Sequence, residues 1–284
     1  MKYLLNQYFT VVVLFLAALS SCSNWESENI EDDEDWSFVV FSDLQQGYGV
    51  YSRLAEIIGK TEPPPLASVC CGDIMLRPAN EAEWLSFQHF SQPITDRMPL
   101  YIARGNHEGN DPVCETLLHE QGNVPGPPFY YFKKLRNSIF LILDTEIKGD
   151  SGAIINEQLI WLENVLDSTS GDNSIQNIFI FMHHPLYQQG KHQGIEMKNA
   201  TEIHQLFLQH QKVRAVFAGH DHMFHKMRKD GILYVITGGG GGDLENGYGG
   251  DYHHFVKVSF FGYSQRINIK TIGIFYEVVE DFDL

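Results

Sequence analysis

The segment FAGHDHMFHK, Phe217 to Lys226, places two histidines on either side of one aspartate, directly after an apolar run. The run VRAVFA that leads into it has the length and the branched and aromatic content of a buried strand. A strand holds the residues after it rigidly, so we expect His220 and His222 to lie in a fixed position just past its end. Because imidazole is a common metal ligand, the segment indicates a metal site.

Four other apolar runs end in polar residues of the same kind, in the stretches FSDLQ, CCGDIM, RGNHEG and FMHHP. The carboxyl ends of strands in such sheets face one crevice, where ligands bind. The five loops are therefore predicted to converge on one site built from carboxylate, amide and imidazole groups. The residues at these strand ends, besides His220 and His222, are Asp43, Gln45, Asp73, Asn106, His107, His183 and His184.

Short runs rich in branched and aromatic residues recur from Trp36 to Val279. Among them lie segments with the helical spacing of apolar residues, at Tyr51–Lys60, Asn156–Ser168 and Thr201–Gln211. Strand and helix alternate early in the chain, and strands follow one another late. This order predicts an α/β fold in which two packed sheets carry helices on their outer faces.

The composition limits the kinds of partner. The chain has 284 residues, of which 43% are hydrophobic, enough to bury a large core. Its 20 Lys and Arg against 36 Asp and Glu give a formal net charge of −16. Binding a long nucleic acid requires basic patches that neutralise the phosphate backbone, so we expect no such partner. Metal ions are one way for so acidic a protein to bind phosphate.

The amino-terminal stretch MKYLLNQYFTVVVLFLAALSSCSN is typical of a secretory signal peptide, with Lys2 before an apolar run and small residues after it. The sequence LSSC, Leu19 to Cys22, resembles the bacterial lipobox, in which the cysteine becomes the lipidated first residue after cleavage. Acyl chains on Cys22 would hold the protein stably on a membrane. The alternative is an ordinary secretory signal with an incidental cysteine.

Seven of the ten residues from Glu26 to Asp35 are acidic, so this run repels itself and is predicted to be an extended tether. We therefore divide the chain into a signal peptide at residues 1–21, a lipidated acidic tether at residues 22–35 and one folded domain at residues 36–284. The expected location is the bacterial cell envelope, lipid-anchored on a periplasmic or surface-exposed face.

The order of the five strand-end motifs resembles that of the calcineurin-like metallophosphoesterase superfamily, whose motifs run D-x-H, G-D, G-N-H-[DE], H and G-H-x-H. The resemblance covers nearly the whole folded domain, from Trp36 to about Val256. Within the superfamily, MHHPLYQQGKH and ITGGGGG are most similar to the branch related to purple acid phosphatases. The resemblance implies a metal-dependent phosphoric ester hydrolase with a four-layer α/β/β/α sandwich of two mixed sheets flanked by helices.

The resemblance also implies two metal ions, of Mn, Fe or Zn, with Asp73 shared between them because a carboxylate has two oxygens. It assigns the first ion to Asp43, Gln45, Asp73 and His222, and the second to Asp73, Asn106, His183 and His220. A hydroxide that bridges the two ions would attack phosphorus in line with the leaving oxygen. His107 would donate a proton to that oxygen or stabilise it, and Glu108 would orient His107. The alternative for Glu108 is a surface charge.

Two residues depart from the commonest pattern of this family. Gln45 stands where most members have a histidine. An amide oxygen is a weaker neutral donor than imidazole, so we expect looser binding of the first ion. Leu76 stands where purple acid phosphatases have the tyrosine that binds ferric iron, so a purple colour is not expected.

Three residues are candidates for contact with the substrate. Arg104 is similar to the arginine in the RGNHE motif of Ser/Thr protein phosphatases, where it contacts phosphate; the alternative is an ion pair with a nearby acid. His184 and His192 could approach substrate oxygens, with packing or surface roles as the alternative. The glycines Gly238–Gly242 would either present backbone N–H groups to an anion or allow tight turns near the metals.

The sequence is therefore interpreted as a lipid-anchored hydrolase of small phosphorylated substrates, with phosphomonoesters expected first. A phosphodiesterase or nucleotide hydrolase is the alternative among enzymes. The alternative from another class is a binding lipoprotein that keeps the fold but turns nothing over. Such a protein would be expected to have lost metal ligands or His107, which this chain retains apart from the variation at Gln45.

Replacement of Cys22 tests the predicted anchor. We expect Cys22→Ala to release the protein from membranes, because no acyl chain can then be attached. Cell fractionation followed by detergent partitioning measures the release, and Cys114→Ala, which changes a cysteine of the folded domain, is the control. Continued partitioning of the Cys22 variant into detergent would count against the lipobox.

Overall fold

The computed structural model describes residues 34–45, 47–77, 79–109, 111–194 and 197–284. The signal peptide predicted at residues 1–21 lies outside the described residues, as does all but the end of the tether predicted at residues 22–35. Among the helices of the described ranges, none is long and apolar enough to cross a membrane.

The first sheet has six strands in the order β12-β11-β10-β1-β2-β3, numbered along the chain. Strands β1, β2 and β3 run parallel, whereas β10 pairs antiparallel with β1, β11 with β10 and β12 with β11. The sheet is therefore mixed. Its strands are β1 (Trp36–Phe41), β2 (Ala67–Cys70), β3 (Leu100–Ile102), β10 (His254–Phe261), β11 (Arg266–Gly273) and β12 (Val278–Asp283).

The second sheet also has six strands, in the order β4-β5-β6-β7-β9-β8. Its four central strands run parallel, and each edge strand pairs antiparallel with its neighbour. Its strands are β4 (Tyr131–Leu135), β5 (Ser138–Ile142), β6 (Asn177–Phe181), β7 (Val213–Ala218), β8 (Phe224–Lys229) and β9 (Ile232–Thr237).

Helices cover the outer face of each sheet. Side chains of α1, α2 and α3, such as Leu54, Trp84 and Leu118, pack with Phe41 on the first sheet. Side chains of α4 and α5 pack with the outer residues of the second sheet. The predicted four-layer sandwich is confirmed. The helices are α1 (Tyr48–Gly59), α2 (Glu81–Thr95), α3 (Pro112–Glu120), α4 (Asn156–Gly171) and α5 (Ala200–Leu208), with short 3₁₀ turns at Gly190–His192 and Gly262–Ser264.

A cluster of phenylalanines fills the space between the two sheets. Phe38 on β1 lies at its centre, with ring centroids of Phe140 and Phe179 on the second sheet at 4.6 and 5.1 Å. Both contacts are edge-to-face, the arrangement that aromatic quadrupoles favour. Because β1 and β6 meet through this cluster, the packing also sets how the loops after the two sheets face each other.

The parallel strands bring the predicted site residues to one end of the sandwich. Strands β1, β2 and β3 end together in the first sheet, and β6 and β7 end together in the second. Hydrogen bonds join the loops directly, from the Asp43 N–H to the Gly72 carbonyl at 3.0 Å and from the His220 N–H to the Asp43 carboxylate at 3.0 Å. The loops that were predicted to converge therefore do so.

Removal of the central ring tests the role of the aromatic cluster. We expect Phe38→Ala to lower the free energy of unfolding by about 3–5 kcal/mol, because the side chain is fully buried and leaves a cavity. Urea denaturation measures the loss. Phe275→Ala is the matched control because that ring is 79% exposed, and equal losses in the two variants would contradict the account.

Candidate metal centre

Four predicted ligands have positive φ angles, at the sharp turns that follow their strands. The φ angles are 61° at Asp43, 32° at Gln45, 53° at Asp73 and 72° at His220. Residues other than glycine rarely adopt this conformation, and they keep it only where the surrounding structure holds them there. Local backbone strain therefore accompanies the geometry of the site.

Glycines let the turns approach one another closely. A Cβ at Gly105 would lie 2.3 Å from both the backbone nitrogen and Oδ1 of Asp73. A Cβ at Gly219 would lie 2.1 Å from Ser42 Oγ and 2.4 Å from Asp43 Oδ2. The glycines of RGNH and AGHDH are therefore required by packing against the two aspartates.

The first group of donors is Asp43, Asp73 and His222, whose ligand atoms lie within 4.8 Å of one another. His222 Nδ1 donates to the Asp243 carbonyl at 2.7 Å, which turns Nε2 toward the other members of the group. That Nε2 lies 3.5 Å from Asp43 Oδ1. The carbonyl therefore orients the imidazole with Nε2 toward the carboxylates, as partners of metal ligands do.

The second group is Asn106, His183 and His220. The Asn106 amide oxygen lies 2.8 Å from His183 Nε2 and 2.9 Å from His220 Nδ1. His183 Nδ1 donates to the Cys71 carbonyl at 2.9 Å, which directs Nε2 into the group. The three donors therefore meet around a single point, and each comes from a different strand end.

Asp73, a member of the first group, also faces the second group. Its Oδ1 is 3.4 Å from His183 Nε2, and its Oδ2 accepts from Gln45 Nε2 at 2.9 Å. The side chain is almost completely buried. One carboxylate thus faces both sets of donors, which is the position that a ligand shared between two cations requires.

The electrostatics of the site favour cations. Burial alone raises the pKa of Asp43, but its hydrogen bond with His222 and the charge of His183 outweigh burial and hold the pKa below its usual value. Burial lowers the pKa of His222, but the hydrogen bond and charge of Asp43 outweigh it and raise that pKa to about 9. The ionised Asp43 carboxylate thus draws positive charge into the buried site.

The donor set fits a pair of metal ions. Carboxylate oxygens, an amide oxygen and imidazole nitrogens suit Mn, Fe or Zn, and no thiolate takes part in either group. Backbone carbonyls bind Nδ1 of His183 and of His222 and hold each ring with Nε2 facing the carboxylates. The site is therefore preorganised for N/O coordination.

Gln45 lies in the site in an orientation of its own. Its amide nitrogen, not its oxygen, faces Asp73. Binding a cation through the oxygen requires the terminal amide to turn over, which exchanges a donor for an acceptor at the same position. The predicted role of Gln45 as a ligand therefore depends on that turn.

The structure corrects the prediction for Glu108. Its carboxylate does not orient the His107 ring; it is fully buried and accepts four backbone N–H groups. One oxygen binds Asp73 and Gly105 at 2.9 and 2.8 Å, and the other binds Ile74 and Met75 at 2.8 and 3.2 Å. Burial raises the pKa of Glu108 to about 7, with the charge of Asp73 adding to the shift. Glu108 is a clamp between two site loops.

Arg104 is also corrected as a substrate contact. The guanidinium is 4% exposed and forms a bidentate ion pair with Asp144, at 3.1 and 2.6 Å. It also binds Glu115 at 3.0 Å and the carbonyls of Gly109 and Glu146. The alternative of an ion pair with a nearby acid is the one observed.

His184 differs from its predicted role in the same way. Its side chain is 7% exposed, and Nδ1 lies 2.9 Å from Thr145 Oγ1. Burial, with the charge of His183, lowers the pKa of His184 to about 3, so the ring is neutral. It packs against His220, with ring centroids 4.5 Å apart, and supports that ligand rather than facing a substrate.

The glycines Gly238–Gly242 turn tightly against the site. Their N–H groups at Gly238, Gly240 and Gly242 donate to backbone carbonyls at 2.8 to 3.1 Å. A Cβ at Gly240 would lie 2.2 Å from the Ser42 carbonyl. These N–H groups are used within the protein, so the contacts fit the tight-turn alternative.

Sequence reasoning missed a sixth strand end. The loop after β5 carries Asp144 and Thr145, which hold Arg104 and His184 in place. The run SIFLILDT has the same form as the five recognised runs, so its polar end was visible. The run does not indicate a site residue by itself, because it carries no histidine and matches no motif.

Comparisons with known proteins agree with this architecture. The family model of calcineurin-like phosphoesterases matches residues 37–224. Purple acid phosphatase 23 of Arabidopsis thaliana is 23% identical over 250 residues, which cover 81% of this chain and 52% of that protein. This chain therefore spans about half the length of that curated relative.

Two solved structures have a similar fold. Purple acid phosphatase PPD1 from seeds of yellow lupin (Lupinus luteus) superposes with a TM-score of 0.74 at 19% identity, over 88% of this chain and 54% of that one. A dimetal phosphatase of Danio rerio superposes with a TM-score of 0.68 at 16% identity, over 87% of this chain and 98% of that one.

The two mixed sheets and the paired donor groups at their strand ends define the class of metallophosphoesterase folds. With the family model matching more than half of its residues, the chain belongs to the calcineurin-like phosphoesterase family. Within that family its similarity is to the purple acid phosphatases.

Replacement of the buried clamp tests its importance. In Glu108→Gln one oxygen becomes an NH₂ group that faces two backbone N–H donors, so we expect stability to fall by roughly 1–3 kcal/mol. Metal affinity should fall too, because the Asp73 loop is then loosely held. Urea denaturation and elemental analysis measure the two effects. Glu120→Gln, at an exposed site, is the control. Unchanged stability and metal content in the Glu108 variant would contradict the clamp.

Proposed function

We propose that the protein is a metal-dependent phosphoester hydrolase that acts on small phosphomonoesters. The observation that carries the proposal is the convergence of two donor groups from five strand ends, in which the Asn106 oxygen lies 2.8 and 2.9 Å from His183 and His220 nitrogens. Similarity to purple acid phosphatases supports the reaction class.

The protein prepares the site before a substrate arrives. Bound cations would neutralise the charge of a phosphoryl group and hold its oxygens for in-line displacement. The turns, carbonyls and clamp described above fix the donors, so little reorganisation is needed. The side chains that would hold the ions are Asp43, Gln45, Asp73, Asn106, His183, His220 and His222.

His107 is the residue that we assign to the leaving group. Its side chain is 31% exposed, and its Nε2 lies 3.9 Å from Asp73 Oδ2, so it borders the donor groups. Its backbone N–H donates to Asp73 Oδ1 at 2.9 Å, which holds the residue in place. From there the ring can donate a proton to the departing oxygen. His192, which is 33% exposed, is the candidate for contact with phosphoryl oxygens.

The charge of the protein bears on the size of the substrate. A formal net charge of −16 repels long polyanions. A small phosphomonoester has two negative charges close together, so a pair of cations attracts it more strongly than a diester with one. We therefore favour small monoesters, with diesters and nucleotides as the alternative.

We also propose that the protein is lipid-anchored at Cys22 in the bacterial cell envelope. The support is the LSSC sequence and the acidic run that follows it. Such a run would hold the domain away from an anionic membrane surface.

Turnover of model esters tests the proposed function. With added Mn²⁺ we expect an aryl phosphate monoester to be hydrolysed faster than a bis-aryl phosphate diester. Faster hydrolysis of the diester would favour the phosphodiesterase alternative and contradict the substrate class. A protein that holds two metal ions per chain and hydrolyses neither ester would contradict the proposal and favour a binding lipoprotein.

The assigned roles predict that two substitutions both lower activity but differ in their effect on metal content. We expect His107→Ala to keep its metal ions while kcat falls by roughly 10²–10⁴. Asp73→Asn should lose metal and nearly all activity, because the shared carboxylate becomes a neutral amide. Elemental analysis and steady-state kinetics measure both, with His89→Ala, an exposed histidine of α2, as the control. Metal loss in His107→Ala would mean that His107 is a ligand and that its assigned role is wrong.

A further inference from the structure

Asp221 lies between the two ligand histidines of AGHDH, and its side chain is fully buried. In an extended segment it would point away from them. The left-handed φ of 72° at His220 breaks that extension, and the Asp221 N–H donates to the Gly219 carbonyl at 2.9 Å. The turn therefore directs the carboxylate inward, toward the loop that contains His192.

Both carboxylate oxygens of Asp221 bind this loop. Oδ1 accepts from His192 Nδ1 at 2.7 Å, and Oδ2 accepts from the Gln189 backbone N–H at 2.6 Å. A second buried carboxylate, Glu245, accepts from the Lys191 backbone N–H at 2.7 Å. Three hydrogen bonds thus hold the short 3₁₀ turn Gly190–His192 and the residue before it, Gln189.

The His192 ring lies beside the metal centre. It stacks on the His220 ring, with centroids 4.5 Å apart and planes 25° apart. A third of the His192 side chain is exposed, whereas its partner Asp221 is not. Because Nδ1 is engaged by Asp221, the nitrogen on the other side of the ring, Nε2, is the one available to a ligand.

We propose that Asp221 is a positioning residue that holds the His192 ring in one orientation and one tautomer, with Nε2 presented to the phosphoryl group of the substrate. The inference rests on the proposed function and extends it to a residue outside the donor groups. An orienting carboxylate behind an imidazole is the arrangement by which proteins select a tautomer. Here that carboxylate is part of the same turn that supplies two metal ligands.

The same three residues could instead hold a cation, because donor atoms of His192, Asp221 and Glu245 lie within 4.8 Å of one another. The contacts favour the hydrogen-bonded pair. The Lys191 ammonium lies 3.5 Å from Glu245 Oε1 and already supplies positive charge, and backbone N–H groups occupy an oxygen of each acid. The test must therefore distinguish a third metal ion bound here from the hydrogen-bonded pair of His192 and Asp221.

A double-mutant cycle tests the inference. Wild type, Asp221→Ala, His192→Ala and the double variant are assayed for kcat and KM with an aryl phosphate, and their metal content is measured. We expect each single substitution to lower kcat/KM by about 10–100-fold with two metal ions retained. The double variant should be no worse than His192→Ala, because Asp221 acts through that ring. Asp221→Asn, which keeps an acceptor oxygen, should retain more activity than Asp221→Ala. Asp167→Ala, on an exposed carboxylate of α4, is the control.

Three results would overturn the inference. In the first, Asp221→Ala lowers kcat/KM by the same factor in the His192→Ala background as in the wild type, or leaves the protein with fewer than two metal ions. In the second, His192→Ala has no effect. In the third, the wild type holds three metal ions and Asp221→Ala loses one.

A measurement without turnover keeps this inference separate from the proposed function. In the Zn-loaded protein, ¹⁵N NMR of the histidine rings reports which nitrogen of His192 carries the proton, and His192→Ala identifies the resonance by its loss. We expect a proton on Nδ1 in the wild type and a mixture of tautomers in Asp221→Ala. Identical spectra would overturn the inference, even if the protein hydrolysed no phosphoester. If the spectra show the expected tautomers but the protein hydrolyses no phosphoester, the result would count against the proposed function alone.

Discussion

The site depends on one buried carboxylate that is not itself a candidate metal ligand. Glu108 accepts four backbone N–H groups and so ties the loop after β2 to the loop after β3. The first loop carries Asp73, the residue placed between the two groups, and the second carries Asn106 and His107. Without an acceptor there, four buried N–H donors would have no hydrogen-bond partner. The free-energy cost of leaving them unsatisfied is larger than the stabilisation that most single contacts in a protein provide.

The rest of the fold supplies the frame on which that clamp acts. Two mixed sheets pack through the phenylalanine cluster around Phe38, and their parallel strands end at the same edge. At that edge the chain turns sharply, with left-handed residues at Asp43, Asp73 and His220. Such turns cost free energy in isolation, and here hydrogen bonds between the loops offset the cost. The result is a set of donors that the fold itself brings together.

The sequence predicted the central strands and the donor set because both have local signals: apolar runs, and polar residues directly after them. It missed β4 and β8, the edges of the second sheet, whose lysines interrupt the apolar pattern and protect the edges from pairing. It missed α2, where Pro93 lies within the helix. It could not find the contacts of Arg104, because their main partner, Asp144, lies forty residues further along the chain. Contacts between residues so far apart in the chain arise from the tertiary structure, and no local sequence pattern predicts them.

The central claim is that Asp73 is shared between two cations held by residues from five strand ends. Anomalous diffraction from crystals grown with Mn²⁺ and collected near the Mn absorption edge tests it most directly. The account predicts two anomalous peaks, each in contact with a different oxygen of Asp73, one beside Asp43 and His222 and the other beside His183 and His220. A single peak, or two peaks of which either does not touch Asp73, would contradict it.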